Sequence, residues 1–137
     1  MGTPLHYRSL IDLSDALRRR EVSSVEVTTA LLDRIDAVEP ETQSYVTVMA
    51  GAAMAQARVV DEDIARGDWR GPLHGVPIAL KDLCFTSNAP TTAGMTILKG
   101  FVPDYDATVV ERLNAAGAVT LVTVARAATG TWATGTR

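Results

Sequence analysis

One lysine stands where its side chain could take part in acid–base chemistry. Lys81 ends the short apolar run of residues 76–80, and Asp82 follows it directly. Functional residues gather at the carboxyl ends of strands in open α/β sheets. An unperturbed lysine titrates near ~10.4, but partial burial lowers the pKa by several units and creates a general base. On spacing alone a structural ion pair, with Asp82 as one candidate partner, is the favoured interpretation, because burying an unpaired ammonium ion is costly.

Other residue types that could do chemistry lack the partners they would need. The glycine-containing segment 71–75 lacks the Gly-Lys-Ser/Thr ending of a phosphate-binding P-loop and precedes a strand instead of opening a helix. His6, His74 and Cys84 do not have the spacing of metal ligands, and no histidine lies near Cys84 in the sequence to activate its thiol. We therefore expect a structural hydrogen-bonding role for His74, a buried inert thiol at Cys84, and no metal site.

Composition narrows the class of protein. The 137 residues are 47% hydrophobic and 21% charged, which is typical of one globular domain. A net charge of −3 and an aromatic content of 5% give no case for nucleic acid or an anionic membrane as partner. The lone cysteine favours a reducing compartment, residues 1–10 lack the apolar run of a secretory signal, and no apolar stretch approaches the ~20 residues of a membrane span. We expect a soluble cytoplasmic protein.

The first two predicted helices have recognisable start signals. Ser9 is placed to cap a helix that runs to about residue 19. Ser23 and Glu26 form the pattern of a capping box, and the helix that they open is predicted to end two residues before Pro40.

Further along, residues 45–49 predict a short strand and residues 51–66 a third helix that Gly67 ends. The acidic run at residues 61–63 is interpreted as a solvated helix face.

The second half of the chain predicts α/β architecture. Residues 78–80 form a continuously apolar strand, expected to be buried on both faces. Asp106 is placed as the N-cap of a helix to about residue 116, Gly117 ends that helix, and residues 119–124 resume as a strand. The strand–helix–strand order favours a parallel pair with a crossover helix.

Residues 71–118 carry a series of blocks that closely resemble the amidase-signature family, in that family's order and spacing. The blocks are GPLHGVPIALKD at residues 71–82, TTAG at 91–94, FVP at 101–103, DATVV at 106–110, RL at 112–113 and AAGA at 115–118. The helices upstream also resemble the N-terminal region of this family. The position that matches the family's catalytic lysine is Lys81.

The resemblance implies a fold and a mechanism. The implied fold is a large mixed β-sheet covered by helices on both faces, of which this chain would be the N-terminal, incomplete part. Amidases of this family hydrolyse carbon–nitrogen bonds of small-molecule amides with a Ser–cis-Ser–Lys triad and no metal or organic cofactor. Neutral Lys81 would accept a proton through a bridging serine, and a second serine would attack the amide carbonyl.

The two serines of that triad have no match here. Ser87 is the only serine after Lys81, and it lies in an Asn/Ala/Pro loop without a second serine, so we do not assign it as the nucleophile. We expect the 137 residues alone to be inactive. We also expect them to be marginally stable or prone to aggregation, because a partial sheet leaves open edges and uncovered apolar surface.

The composition changes near the end of the chain. Residues 1–119 are assigned to the N-terminal portion of an amidase domain. Residues 120–137 contain six threonines and no Asp, Glu, Ser or Pro, which suggests a shifted reading frame or an aberrant gene end.

Two alternatives to a hydrolase fragment stay open. One is a non-catalytic α/β interaction module that has lost the enzyme's activity. The other is a fragment of the A-type subunit of a tRNA-dependent amidotransferase, which belongs to the same family. Residues 83–86 and Met95 favour a general amidase over that subunit.

Overall fold

The computed structural model describes residues 3–124, and this part of the chain combines helices with one small sheet. The α-helices and strands are α1 (Leu10–Arg18), α2 (Ser24–Thr42), β1 (Tyr45–Val48), α3 (Ala50–Arg66), β2 (Pro77–Lys81), α4 (Thr108–Ala115) and β3 (Val119–Val124). Short 3-10 turns lie at Leu5–Tyr7 and Thr96–Leu98. The α/β class predicted from the sequence is confirmed.

The three strands form a mixed sheet in the order β1-β3-β2. β3 lies at its centre, antiparallel to β1 and parallel to β2, and its first five residues are buried. Within the described residues β1 and β2 each have one neighbouring strand. The expectation of a β2 buried on both faces is wrong for the described residues. Ala79 is exposed on one face of the strand, whereas Leu80, on the opposite face, is buried.

Side-chain caps begin the first two helices as predicted. The Ser9 hydroxyl accepts the Asp12 N–H, and Ser23 and Glu26 form a reciprocal capping box. Such caps satisfy backbone N–H groups that have no partner within the helix.

The acidic run at residues 61–63 differs from its interpretation as a solvated face. The Asp61 carboxylate accepts the N–H groups of Ser24, at 2.6 Å, and Val25, at 3.0 Å, so it also caps the start of α2. Asp63 is 5% exposed. Glu62 alone of the three is exposed to solvent. The helix periodicity turns Asp61 toward α2 and Asp63 toward the segment that precedes β2.

Two predicted helix boundaries are wrong. α2 continues through Pro40 and ends at Thr42. Its C-cap is Gln43, whose backbone is left-handed (φ 44°) and whose N–H donates to the Glu39 carbonyl. At α4 the N-cap is Ala107, which has no capping side chain. Asp106 does not cap α4, because its carboxylate binds the loop at Ser87 instead.

The main hydrophobic core lies between helices α1–α3 and the sheet. Its members are buried apolar side chains from these elements and from the segment before β2, namely Leu13, Leu17, Val27, Ile35, Ala53, Ala57, Val60, Ile64, Val76, Val119, Leu121 and Val122. The predicted boundary between residues 119 and 120 falls inside β3. Residues 125–137 of the predicted tail lie outside the described residues.

None of the described helices is both long enough and apolar enough to span a bilayer.

Candidate functional site

Lys81 is the last residue of β2 and is half-buried. It lies opposite Val124 in the parallel ladder with β3. Because side chains alternate along a strand, Lys81 shares a face of the sheet with the exposed Ala79, while Leu80 points to the opposite face and is buried. The lysine predicted from the sequence is therefore at the carboxyl end of a strand that is paired in parallel, as the sequence indicated.

Asp82 does not form the ion pair that spacing alone favoured. Its buried carboxylate accepts the Thr92 N–H at 2.8 Å and also the Thr92 hydroxyl. Its backbone N–H donates to the Val124 carbonyl at 2.9 Å, and its own carbonyl accepts the Ala93 N–H at 2.7 Å. Asp82 thus fixes the loop at residues 91–94 to the end of β2, and its charge is satisfied without Lys81.

The ammonium group of Lys81 has no carboxylate partner among residues 3–124. The ion pairs found there join arginines to Asp or Glu within 4.0 Å. Lys81 is thus a half-buried lysine at a strand end, without an ion pair in this part of the chain and with its neighbouring carboxylate already bonded. That arrangement is compatible with a proton-transfer role for the lysine.

Ser87 and Cys84 lie in the loop that follows β2, and neither resembles an activated nucleophile. The Ser87 hydroxyl donates to an Asp106 oxygen at 2.9 Å, and its N–H donates to the same oxygen at 2.7 Å. The other Asp106 oxygen accepts from Asn114 at 3.3 Å. Asp106 therefore ties this loop to α4, and the serine serves as a structural donor.

Cys84 is half-buried, so the expectation of a buried thiol is wrong in degree. The reason is local. Its N–H donates to the Lys81 carbonyl at 2.9 Å in the turn that closes β2, and this turn lies at the surface.

His74 is completely buried in a charged cluster. Its Nδ1 accepts the Arg70 N–H at 3.2 Å, which confirms the expected hydrogen-bonding role. Its Nε2 lies 3.8 Å from Asp63, whose carboxylate is bonded by Arg66 and Arg70. Burial lowers the pKa of His74 below its ordinary value, the positive charge of Arg70 lowers it further, and Asp63 acts in the opposite direction.

Sequence reasoning missed Asp63 and Thr92 as members of these networks. Asp63 was hidden in an acidic run on a helix, and its periodicity toward the core was the available signal. Thr92 stands in the TTAG block, and its small hydroxyl side chain close to a glycine was the available signal for a loop anchor. No group of three or more His, Cys, Asp or Glu residues within residues 3–124 could hold a metal ion.

The family of the chain follows from comparison with known sequences. Residues 26–136 match the protein family described as Amidase. The match includes β2 with Lys81, the loop that Asp82 anchors, and all of β3. The chain belongs to the amidase-signature family.

Individual relatives fall into two named groups. Over 110 residues the chain is 54% identical to "Putative amidase AmiD" of Mycobacterium bovis, which is 80% of this chain and 23% of that protein. Over 115 residues it is 50% identical to the A-type subunit of the glutamyl-tRNA(Gln) amidotransferase of Carboxydothermus hydrogenoformans, which is 84% of this chain and 24% of that protein.

Solved structures give the same family. The native peptide amidase of Stenotrophomonas maltophilia superposes with a TM-score of 0.83 at 35% identity, over 88% of this chain and 25% of that enzyme. The chain thus spans about a quarter of the length of the relatives that it matches. The described sheet is accordingly part of a larger fold.

Proposed function

We propose that this chain contributes the catalytic lysine, Lys81, to an enzyme that hydrolyses carbon–nitrogen bonds of small-molecule amides. The observation that carries the proposal is the position of Lys81. It is a half-buried amine at the end of β2, inside the family-matching segment, and the adjacent carboxylate is bonded to Thr92.

In the proposed mechanism Lys81 acts as a general base in a Ser–cis-Ser–Lys relay. The neutral amine accepts a proton from the bridging serine, which takes the proton of the nucleophilic serine as the latter attacks the amide carbonyl. The carbon–nitrogen bond then breaks, the proton returns along the relay to the departing nitrogen, and an acyl-enzyme remains for water to hydrolyse. Asp82 contributes by holding the loop at residues 91–94 against the strand end.

The two serines of this relay are proposed to come from the part of the family fold that this chain does not span. Ser87 is the only serine after Lys81, and its hydroxyl is bonded to Asp106. We therefore infer that the 137 residues by themselves do not hydrolyse amides. Purified chain that released ammonia from simple amides, with turnover lost in Lys81→Ala, would contradict this inference.

A graft tests the role of Lys81 directly. The segment of the Stenotrophomonas maltophilia peptide amidase that superposes on this chain is replaced by the corresponding residues of this chain, and amide hydrolysis is measured. Removing a member of a catalytic triad leaves only the contribution of binding and oxyanion contacts, so we expect Lys81→Ala to lower kcat by on the order of 10³-fold or more.

Lys99 provides the matched control, because the chain contains two lysines and Lys99 is exposed. Lys99→Ala in the same graft should leave kcat unchanged. A Lys81→Ala graft as active as the unsubstituted graft would refute the proposal. If the unsubstituted graft is inactive, the same exchange is made in the mycobacterial relative, where identity is 54%.

A component of an amidotransferase is the second candidate, because the 50% identity to the Carboxydothermus protein is close to the 54% identity to the mycobacterial amidase. In that case the amide group would be passed to a tRNA-linked acceptor within a multisubunit enzyme. The same graft made in the Carboxydothermus protein, with its partner subunits present, should then support glutamine-dependent amidation. The third alternative is a non-catalytic interaction module. If it is correct, Lys81→Ala should leave the activity of both grafts unchanged.

The location and the tail complete the proposal. The single cysteine supports a cytoplasmic location, which fluorescence microscopy of a tagged chain would test. The Thr-rich composition of residues 120–137 favours a shifted reading frame. However, residues 120–124 belong to β3 and the family match reaches residue 136, which favours a segment that continues the family's sequence. Reading the coding DNA in the other two frames decides between them.

A further inference from the structure

His74 occupies a closed site seven residues before Lys81. The imidazole is 0% exposed. Its ring centroid lies 5.5 Å from that of Trp69, and Nδ1 accepts the Arg70 N–H at 3.2 Å. Because Nδ1 is an acceptor in this bond, the ring must be neutral with its proton on Nε2.

The opposite edge of the imidazole is in contact with Gly117, which follows α4. A Cβ atom at Gly117 would lie 2.2 Å from His74 Cδ2, so only glycine fits there. The Gly75 N–H donates to the Gly117 carbonyl at 2.8 Å. The Ser24 hydroxyl, itself buried, donates to the Gly75 carbonyl at 2.9 Å. The turn that carries His74 is therefore fixed to the start of α2 and to the segment between α4 and β3 at once.

This turn is where β2 begins. The Val76 carbonyl accepts the Val119 N–H at 3.0 Å, and Pro77 is already opposite Val119 in the ladder. The ladder is irregular between Ile78 and Ala79, so the register of β2 depends on how its two ends are held. A slip of one residue would move Lys81 by about 3.3 Å and turn its side chain to the other face of the sheet.

We propose that His74 is a positioning residue for Lys81: its neutral imidazole, clamped between Arg70 and Gly117, sets the register in which β2 presents the lysine. The proposal rests on the assignment of Lys81 as the catalytic lysine. Protonation of Nδ1 would remove the acceptor of the Arg70 N–H and loosen this end of the strand. The charged groups that face the ring are the Asp63 carboxylate of α3 and the Arg70 side chain. Arg66 bonds to the same carboxylate, and the segment between α4 and β3 presents the Gly117 backbone to the ring.

The test observes Lys81 itself without relying on activity. Reductive methylation with ¹³C-formaldehyde gives one dimethyl-lysine signal each for Lys81 and Lys99, the two lysines of the chain. The signals are assigned by Lys81→Arg and Lys99→Arg. Spectra are then compared at pH 8 for the unsubstituted chain, His74→Leu and His74→Asn, with His6→Asn as the control histidine variant.

The two substitutions at His74 separate positioning from packing. Asparagine keeps an oxygen near the place of Nδ1 that can accept the Arg70 N–H, whereas leucine has a similar volume and no acceptor. We expect His74→Leu to shift the Lys81 signal and leave the Lys99 signal in place, and His74→Asn to restore the Lys81 signal. A folded His74→Leu chain whose Lys81 signal coincides with that of the unsubstituted chain would overturn the proposal.

A pH titration of the unsubstituted chain gives a second test, which does not depend on the folding of a variant. As pH is lowered, the Lys81 signal should move with the midpoint at which the His74 ring protons shift, while the Lys99 signal should not show that midpoint. A Lys81 signal that does not move as His74 titrates would also overturn the proposal. Failure of this proposal can be distinguished from failure of the proposed function. The graft measures catalysis by Lys81, whereas the spectra report only on the position of its side chain.

Discussion

Replacing Gly117 by alanine should destabilise the chain through one identifiable contact. Gly117 has a φ of +77°, and a Cβ atom there would lie 2.2 Å from Cδ2 of His74 and 3.0 Å from Nε2. Real Cβ contacts are not this short, and the ring cannot retreat because it is fully buried between Trp69 and Arg70.

The expected magnitude has two parts. An alanine held in the left-handed region costs about 1–2 kcal/mol relative to glycine. Forcing an extra methyl group into a packed interior costs a further ~1–3 kcal/mol. Gly117→Ala should therefore lower the free energy of unfolding by about 2–5 kcal/mol, a large share of the ~5–15 kcal/mol of an ordinary domain.

Gly67→Ala is the matched control. Gly67 also follows a helix and has a φ of +91°, but a Cβ atom there has no neighbour within 4 Å. Only the backbone cost of roughly 1–2 kcal/mol should appear. The difference between the two variants isolates the contact with His74.

Urea unfolding followed by circular dichroism is the assay. A fixed concentration of an osmolyte keeps a marginally stable chain folded, since excluded osmolytes strengthen burial. In the double variant His74→Ala, Gly117→Ala the ring is absent, so the second substitution should cost no more than Gly67→Ala does. Equal losses for Gly117→Ala and Gly67→Ala in the unsubstituted background would refute the reasoning.

Three further predictions concern pH, the loop after β2 and the start of α2. Burial lowers the pKa of His74 from 6.5. Below about pH 6.5 the unfolded chain therefore binds more protons than the folded chain, and stability should fall as pH decreases. His74→Asn should reduce this part of the fall in Tm with decreasing pH. Asp82→Ala deletes two bonds to a charged acceptor, so urea unfolding should show a loss of about 1.5–3 kcal/mol or more, and Thr92→Val, which removes one of the bonds, a smaller loss. Ser23→Ala should lower the free energy of unfolding by about 1 kcal/mol because the Glu26 N–H loses its side-chain acceptor at the start of α2, whereas substitution of the exposed serine, Ser44→Ala, should be neutral in the same measurement.

Local sequence signals predicted most of the fold. The capping residues Ser9 and Ser23, the left-handed glycine at the end of α3 and the β-rich run at 119–124 act within a few residues of themselves, so their effect can be read from the sequence. One of the two wrongly predicted helix boundaries, the start of α4, depends on a residue distant in the sequence. Asp106 binds Ser87, nineteen residues away, instead of capping α4.

The candidate site divides in the same way. The motif blocks identified Lys81, because they record the order and spacing of residues along the chain. What surrounds Lys81 depends on contacts across the fold. Asp82 bonds to Thr92, ten residues away, and not to its neighbour. The closure of the turn before β2 joins Ser24 to Gly75 across fifty-one residues.

The sequence by itself thus determined the family, the capped starts of α1 and α2 and the position of the candidate lysine, since each rests on residue types at short range. Only the tertiary structure decided that Asp82 leaves the Lys81 amine without an ion pair in the described chain. It also decided that the buried ring of His74 and the bare backbone of Gly117 meet at the start of the strand that carries the lysine. These are contacts between segments that chain folding brings together, and no local pattern of residues specifies them.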